Sequence, residues 1–285
     1  MKCQRLLRAS ASCLAAVVAV CVCSGVAVAA EVEVTPDVVF GHKYGMALTF
    51  DVLRPAEPNG AGVLVIVSGG FFSGWQPTEI SVERSREYLD HGFTVFIVRH
   101  GSNPKFVVPE IVSDVRRAVR FIRLHARDFG VDPDRLGVRG GSAGGLLSLV
   151  IGTTSDAGDP SAEDLVLRMS DRVAAVVAYY PASDLRELVN EDYPALNFDP
   201  AEAPAFSPIL HATPDDPPTL LIHGDQDDVL DVSHSRLMYE ALQEHGVESK
   251  LIIIEGAGHG FRGTDAARAS AAMVEWFSTH LGEEN

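Results

Sequence analysis

Four short stretches of this chain hold residues that could do chemistry. Gly140-Gly141-Ser142-Ala143-Gly144 fits the pattern Gly-x-Ser-x-Gly. A serine hydroxyl attacks a carbonyl only when a base removes its proton and a sharp turn lifts its oxygen clear, which glycine neighbours permit. His223-Gly224-Asp225-Gln226-Asp227-Asp228 supplies carboxylates, and a carboxylate can orient a histidine and stabilise its charged form. Gly256-Ala257-Gly258-His259-Gly260-Phe261 places a histidine in a loop free to reach over a serine. Ser68-Gly69-Gly70-Phe71 could turn backbone N–H groups toward a developing oxyanion, with the N–H of Ala143 as a second source. Taken singly, each stretch also suits a plain structural role, as a tight strand-to-helix turn, a capped loop or an exposed histidine. Taken together they are the parts of nucleophilic acyl transfer.

Those parts need a frame. Short β-rich runs alternate with helical patterns: Val34–Phe40, Met46–Leu53, Val63–Val67, Thr94–Val98, Arg135–Gly140, Val173–Tyr180, Thr219–His223 and Lys250–Ile254 read as strands. Helices are expected near Thr78–His91, from Ala143, near Ser233–His245 and from about Thr264 to Leu281. One more carries the stripe Ile111, Val115, Ala118, Val119 and Ile122, with Arg116, Arg117, Arg120 and Arg123 off it on an expected solvated face. This order predicts an α/β fold with a mostly parallel eight-stranded sheet and helices on both faces. Each of the four stretches follows a strand, where open α/β sheets place their sites. The one irregular segment, Pro181–Pro218, is long enough to form a lid.

The chain has 285 residues and a formal net charge of −16, with 23 Lys and Arg against 39 Asp and Glu. Such acidity argues against partners with phosphate backbones or anionic membrane surfaces. Residues 1–30 read as a signal peptide. Lys2, Arg5 and Arg8 precede the apolar run Leu14–Val22, and Ala27-Val28-Ala29 supplies the small-residue cleavage pattern. The expected organisation is therefore a signal at 1–30 and one α/β domain at 31–285, secreted or periplasmic, without a membrane anchor after cleavage. All four cysteines lie within the signal, so the mature domain would have no disulfide and no thiol nucleophile. No two histidines lie three or four residues apart, no phosphate-binding loop is present, and no metal or cofactor is expected.

The sequence resembles serine-dependent α/β-hydrolases of the carboxylesterase and hormone-sensitive-lipase-like group, and within it secreted bacterial feruloyl and acetylxylan esterases. The resemblance spans most of Val34–Leu281. It is densest from Gly130-Val131-Asp132-Pro133-Asp134-Arg135 into Gly140-Gly141-Ser142-Ala143-Gly144-Gly145, and extends to Phe206-Ser207-Pro208-Ile209. It implies the α/β-hydrolase fold, whose chain order of nucleophile, acid and histidine is met by Ser142, Asp227 and His259. It selects Asp227 as the acid, the third residue after glycine in His-Gly-x-x-Asp, and implies an oxyanion hole from Ala143 with Gly70 or Phe71. The implied activity is hydrolysis of carboxylic esters, on small-molecule or carbohydrate esters, without a cofactor. The prolyl oligopeptidase catalytic domain has similar motifs, which leaves a serine aminopeptidase or oligopeptidase as an alternative. A catalytically silent hydrolase fold used for binding is a second. Two positions depart from the family: Ser68 stands where histidine is frequent, and Arg139 stands where an apolar or aromatic residue is common. Arg139 could extend its head to water or a carboxylate, or touch substrate.

Overall fold

The structure, a computed structural model, describes residues 32–282. The expected signal segment lies outside the described residues. In chain order the elements are β1 (Glu33–Lys43), β2 (Met46–Arg54), β3 (Gly62–Ile66), α1 (Thr78–Arg84), α2 (Arg86–Leu89), β4 (Thr94–Val98), α3 (Val108–Leu124), α4 (Ala126–Phe129), β5 (Leu136–Gly141), α5 (Ala143–Thr153), β6 (Ala175–Tyr179), β7 (Thr219–Gly224), α6 (Ser233–Glu244), β8 (Ser249–Ile254) and α7 (Gly263–His280). One eight-stranded sheet runs β1-β2-β4-β3-β5-β6-β7-β8. β2 pairs antiparallel with both β1 and β4, and every pairing from β4 onward is parallel. The expected strand count and mostly parallel character hold. The single helix expected over Thr78–His91 is two, divided at Ser85, whose φ of −98° and ψ of 3° leave the helical region.

Alternation along the central strands sorts side chains into two cores. Leu64 and Ile66, Phe96 and Val98, Leu136 and Val138, and Val176 and Ala178 pack beneath α3, α5 and α6. Val63, Val95, Ala175, Val177 and Tyr179 face the other way, toward α2 and α7. Central strands buried on both faces read as continuous apolar runs, which is why they were plain in the sequence. Each fully buried large side chain contributes ~1.5–3 kcal/mol.

Helix α3 shows how local and tertiary rules combine. Pro109 opens it, Glu110 Oε2 accepts the Val107 N–H at 3.3 Å, and the whole apolar stripe is buried. Its arginines do not form the expected solvated face. Arg116 pairs with the buried Asp171 at 2.5 Å, Arg117 with Asp164 at 2.6 Å, Arg120 with Asp156 at 2.5 Å and Arg123 with Asp134 at 3.1 Å. Three of those carboxylates lie in the long connection between α5 and β6, which folds back over α3. Sequence spacing holds no sign of that return. The segment Pro181–Pro218 is also more firmly seated than a lid: it forms three short 3-10 turns and buries Leu185, Ala195 and Ala203 in the core under α3 and α5.

Candidate active site

Ser142 sits on the turn between β5 and α5 with φ of 56° and ψ of −122°, a conformation that non-glycine residues rarely adopt. The turn is held because the Ser142 N–H donates to the Tyr179 carbonyl at 2.9 Å, tying it to the neighbouring strand. Gly140 is required by space: a Cβ there would lie 2.1 Å from the Gly144 carbonyl oxygen. The hydroxyl is thereby displayed at the N-terminus of the eleven-residue α5, whose dipole turns its positive end toward the site.

His259 arrives on the loop after β8. Its Nε2 lies 2.9 Å from Ser142 Oγ, and its Nδ1 lies 2.8 Å from Asp227 Oδ2. Asp227 is on the loop after β7, and its side chain is fully enclosed. Its other oxygen, Oδ1, accepts the N–H groups of Val229 and Leu230, both at 2.9 Å. Burial pushes this carboxyl's pKa up, but the Leu230 N–H, the His259 ring and the Val229 N–H outweigh burial and hold it below the usual carboxylate value. The three side chains far apart in sequence thus form one hydrogen-bonded chain. The neighbouring aspartates differ: Asp225 accepts the Gly256 N–H at 2.6 Å and braces the histidine loop, and Asp228 is exposed.

Residues Gly70 and Phe71 form the opposite wall. Both have positive φ, 55° and 59°. Glycine at 70 is fixed twice over, since a Cβ there would also stand 2.3 Å from the Tyr193 hydroxyl. The N–H groups of Gly70, Phe71 and Ala143 donate to no acceptor among the described residues. That leaves three backbone donors near the serine turn, and the Gly144 N–H ties the two walls by donating to the Ser68 carbonyl at 3.3 Å. The Ser68 hydroxyl is buried without a partner, so it does not hold this loop. Tyr193 and Asn103 hold it instead. The Tyr193 hydroxyl and Asn103 Nδ2 both donate to the Gly70 carbonyl, at 2.6 and 3.2 Å, and the Asn103 N–H donates to the Phe71 carbonyl at 2.9 Å.

Sequence reasoning missed three residues here. Tyr193 and Asn103 carry no motif. His223 was in view only as the first letter of His-Gly-x-x-Asp. It is fully buried, and its Nε2 lies 2.9 Å from the Leu230 carbonyl and 3.2 Å from Asp227 Oδ2. A carbonyl can only accept, so Nε2 carries the proton. Nδ1 then accepts from the Ser235 hydroxyl at 2.7 Å. Burial lowers the pKa of His223, in keeping with a neutral ring that supports the carboxylate from behind. Its spacing of four from Asp227 was the available signal. Arg139 meets no carboxylate among the described residues. Its guanidinium lies over the Tyr179 ring, 4.4 Å from the centroid.

Known proteins share this frame. The chain is 25% identical to the probable carboxylic ester hydrolase LipM of Mycobacterium tuberculosis, over 87% of this chain and 63% of that protein. It is 27% identical to an acetylxylan esterase of Xylanibacter ruminicola, over 73% of this chain and 42% of that protein. The chain therefore spans less than two thirds of these relatives' length. The apo structure of Thermogutta terrifontis esterase 2 superposes with a TM-score of 0.72 at 26% identity, covering 89% of this chain and 95% of that one. Together with the sheet order and the serine turn, this likeness establishes the α/β-hydrolase fold. The BD-FAE family model matches residues 50–242, well over half of the chain and inclusive of Ser142 and Asp227, and the chain accordingly belongs to the BD-FAE family.

Proposed function

We propose that this protein is a carboxylic-ester hydrolase that works through an acyl-enzyme. The observation that carries the reading is the unbroken chain Ser142 Oγ–His259–Asp227, at 2.9 and 2.8 Å. Ser142 Oγ attacks the acyl carbon as His259 Nε2 takes its proton. Asp227 holds Nδ1–H and stabilises the imidazolium that forms. The oxyanion is met by the N–H of Ala143 and of Gly70 or Phe71. His259 then returns its proton to the leaving alcohol as the ester C–O bond breaks. Water, deprotonated by the same ring, splits the acyl-serine to the free acid and regenerates Ser142.

The acetylxylan esterase among the relatives supports acylated carbohydrate as the substrate class. The charge, apolar run and small residues of 1–30 support export with that segment removed. Purified wild-type protein is expected to hydrolyse p-nitrophenyl acetate and acetylated xylan, and to be labelled by a serine-directed fluorophosphonate. Ser142→Ala should abolish both the labelling and the hydrolysis. Labelling that persists in Ser142→Ala, or turnover of aminoacyl-anilides in preference to esters, would overturn the reading. Mass spectrometry of the exported protein should find its start near Ala30.

A further inference from the structure

Arg139 alternates on β5 with Val138, whose side chain lies in the core under α3 and α5. Arg139 therefore projects to the opposite face, where a cavity of about 340 Å³ lies between the sheet and helices α1, α2 and α7. Its lining includes the exposed Arg84 and no carboxylate. Its three arginines are not equivalent. Arg99 is neutralised by Asp51 at 2.6 Å and by Asp37 at 2.9 Å. Arg84 donates to the neutral Gln76 Oε1 at 2.8 Å. Arg139 has no anionic partner among the described residues, and its Nε is buried without an acceptor. Tyr88 and Tyr180 also line the cavity, and their hydroxyls donate to no acceptor among the described residues. In a chain of net charge −16, this recess keeps a cation without a counter-charge.

A guanidinium withdrawn from bulk water gains most from a planar oxyanion that accepts two parallel N–H bonds. We propose that this cavity is a binding site for a small organic carboxylate, seated on Arg139 and separate from Ser142, His259 and Asp227. Arg84 also lacks an anionic partner among the described residues but is exposed at the rim, so Arg139 alone supplies the inner charge, which a single carboxylate balances. The rest of the wall, including Val65, Val67, Ile97, Met273 and Phe261, suits a hydrocarbon or aryl body. The volume falls in the range of small-molecule sites, ~300–1,000 Å³. Tyr180 joins the two places: it lines the cavity, and its ring edge meets the His259 ring at a centroid distance of 4.7 Å. An occupant would thus be felt at His259. That last consequence rests on the ester-hydrolase reading, because the acid product of such a reaction is itself a carboxylate; the binding does not.

The test uses Ser142→Ala protein, so that binding is read without turnover, with sodium benzoate as the probe in calorimetric titration. Benzoate should bind saturably. Benzamide, of the same shape without the charge, should bind about tenfold or more weakly, as should inorganic phosphate. Arg139→Met should lose benzoate binding by about the same factor. Arg139→Lys, which keeps the charge but not the fork, should lie between, and gives a second reading if the Met variant fails to fold. Equal binding of benzoate and benzamide, undiminished binding in Arg139→Met, absence of saturation, or a preference for phosphate would each overturn the assignment. Hydrolysis of p-nitrophenyl acetate by the wild type is scored separately, so failure of the esterase reading leaves the titration result standing.

Discussion

The two ends of the site are held by different means. At the acid end, Asp227 is fixed by its own neighbourhood: the N–H groups of Val229 and Leu230 and the ring of His223 all lie within four residues of it. At the oxyanion end, Gly70 and Phe71 are fixed from afar, by Asn103 after β4 and by Tyr193 in the segment before β7. The first arrangement is a loop that closes on itself. The second is a loop that takes its shape only when three separate connections have docked. A self-closed loop is expected to tolerate change elsewhere in the molecule, whereas a docked one should report on its supports.

The largest effect is expected at the acid end. Asp227→Asn should lower kcat on the order of 10⁴-fold, because the amide no longer fixes the histidine tautomer. Asp225→Asn and Asp228→Asn should cost far less, since one carboxylate braces a backbone N–H and the other faces solvent. Steady-state kinetics on the three variants checks this. Equal losses at all three would dissolve the distinction between the acid and its neighbours.

Acidification should strike the oxyanion end through a buried histidine. His100, at the foot of this loop, is 4% exposed, and burial, reinforced by the Lys43 charge, lowers its pKa to about 4 against a lesser opposing pull from the Gly101 carbonyl. The unfolded chain, titrating near the ordinary value of ~6.5, binds this proton between about pH 6.5 and 4 while the folded chain does not. Stability from this group is therefore full above pH 6.5 and falls as the pH drops toward 4. The loss by pH 5 is about 2 kcal/mol, at ~1.4 kcal/mol per pH unit. Urea titrations at pH 7 and pH 5 should show that difference shrink by a similar amount in His100→Asn. An unchanged difference would show that His100 is not the group responsible.

The smallest effect sharpens the comparison most. Tyr193→Phe removes one hydrogen bond to the Gly70 carbonyl, an interaction of ~0.5–1.5 kcal/mol. It should lower kcat up to about tenfold with little change in KM, while fluorophosphonate labelling stays stoichiometric but slows. A wild-type rate in this variant would mean that Asn103 alone suffices to hold the loop.

The same contrast explains what could be read before folding was known. Ser142 and His259 stand in local patterns whose glycines and flanking strands are visible along the chain, whereas Asp227 was singled out from Asp225 and Asp228 only by the family resemblance. Gly70 and Phe71 were named from position after a strand, but the means of holding them was not. Tyr193 lies in an irregular, proline-rich stretch that looked like a lid, and its partner is 123 residues away. The arginines of α3 failed in the same manner. Helical spacing correctly removed them from the apolar stripe but could not say that Asp156, Asp164 and Asp171 fold back to meet three of them.

By itself, then, the sequence determined the strand-and-helix order, the two-sided burial of the central strands and the types of the reacting groups. Those follow from side-chain alternation, helical periodicity and the steric demands of a tight turn, all of which act within a few residues. Only the tertiary structure decided which aspartate lies against His259, what braces the oxyanion loop, and that Arg139 faces a cavity lined by no carboxylate. Those depend on which surfaces meet when distant segments dock, and an unpaired charge or a bracing hydroxyl leaves no periodic trace in the chain.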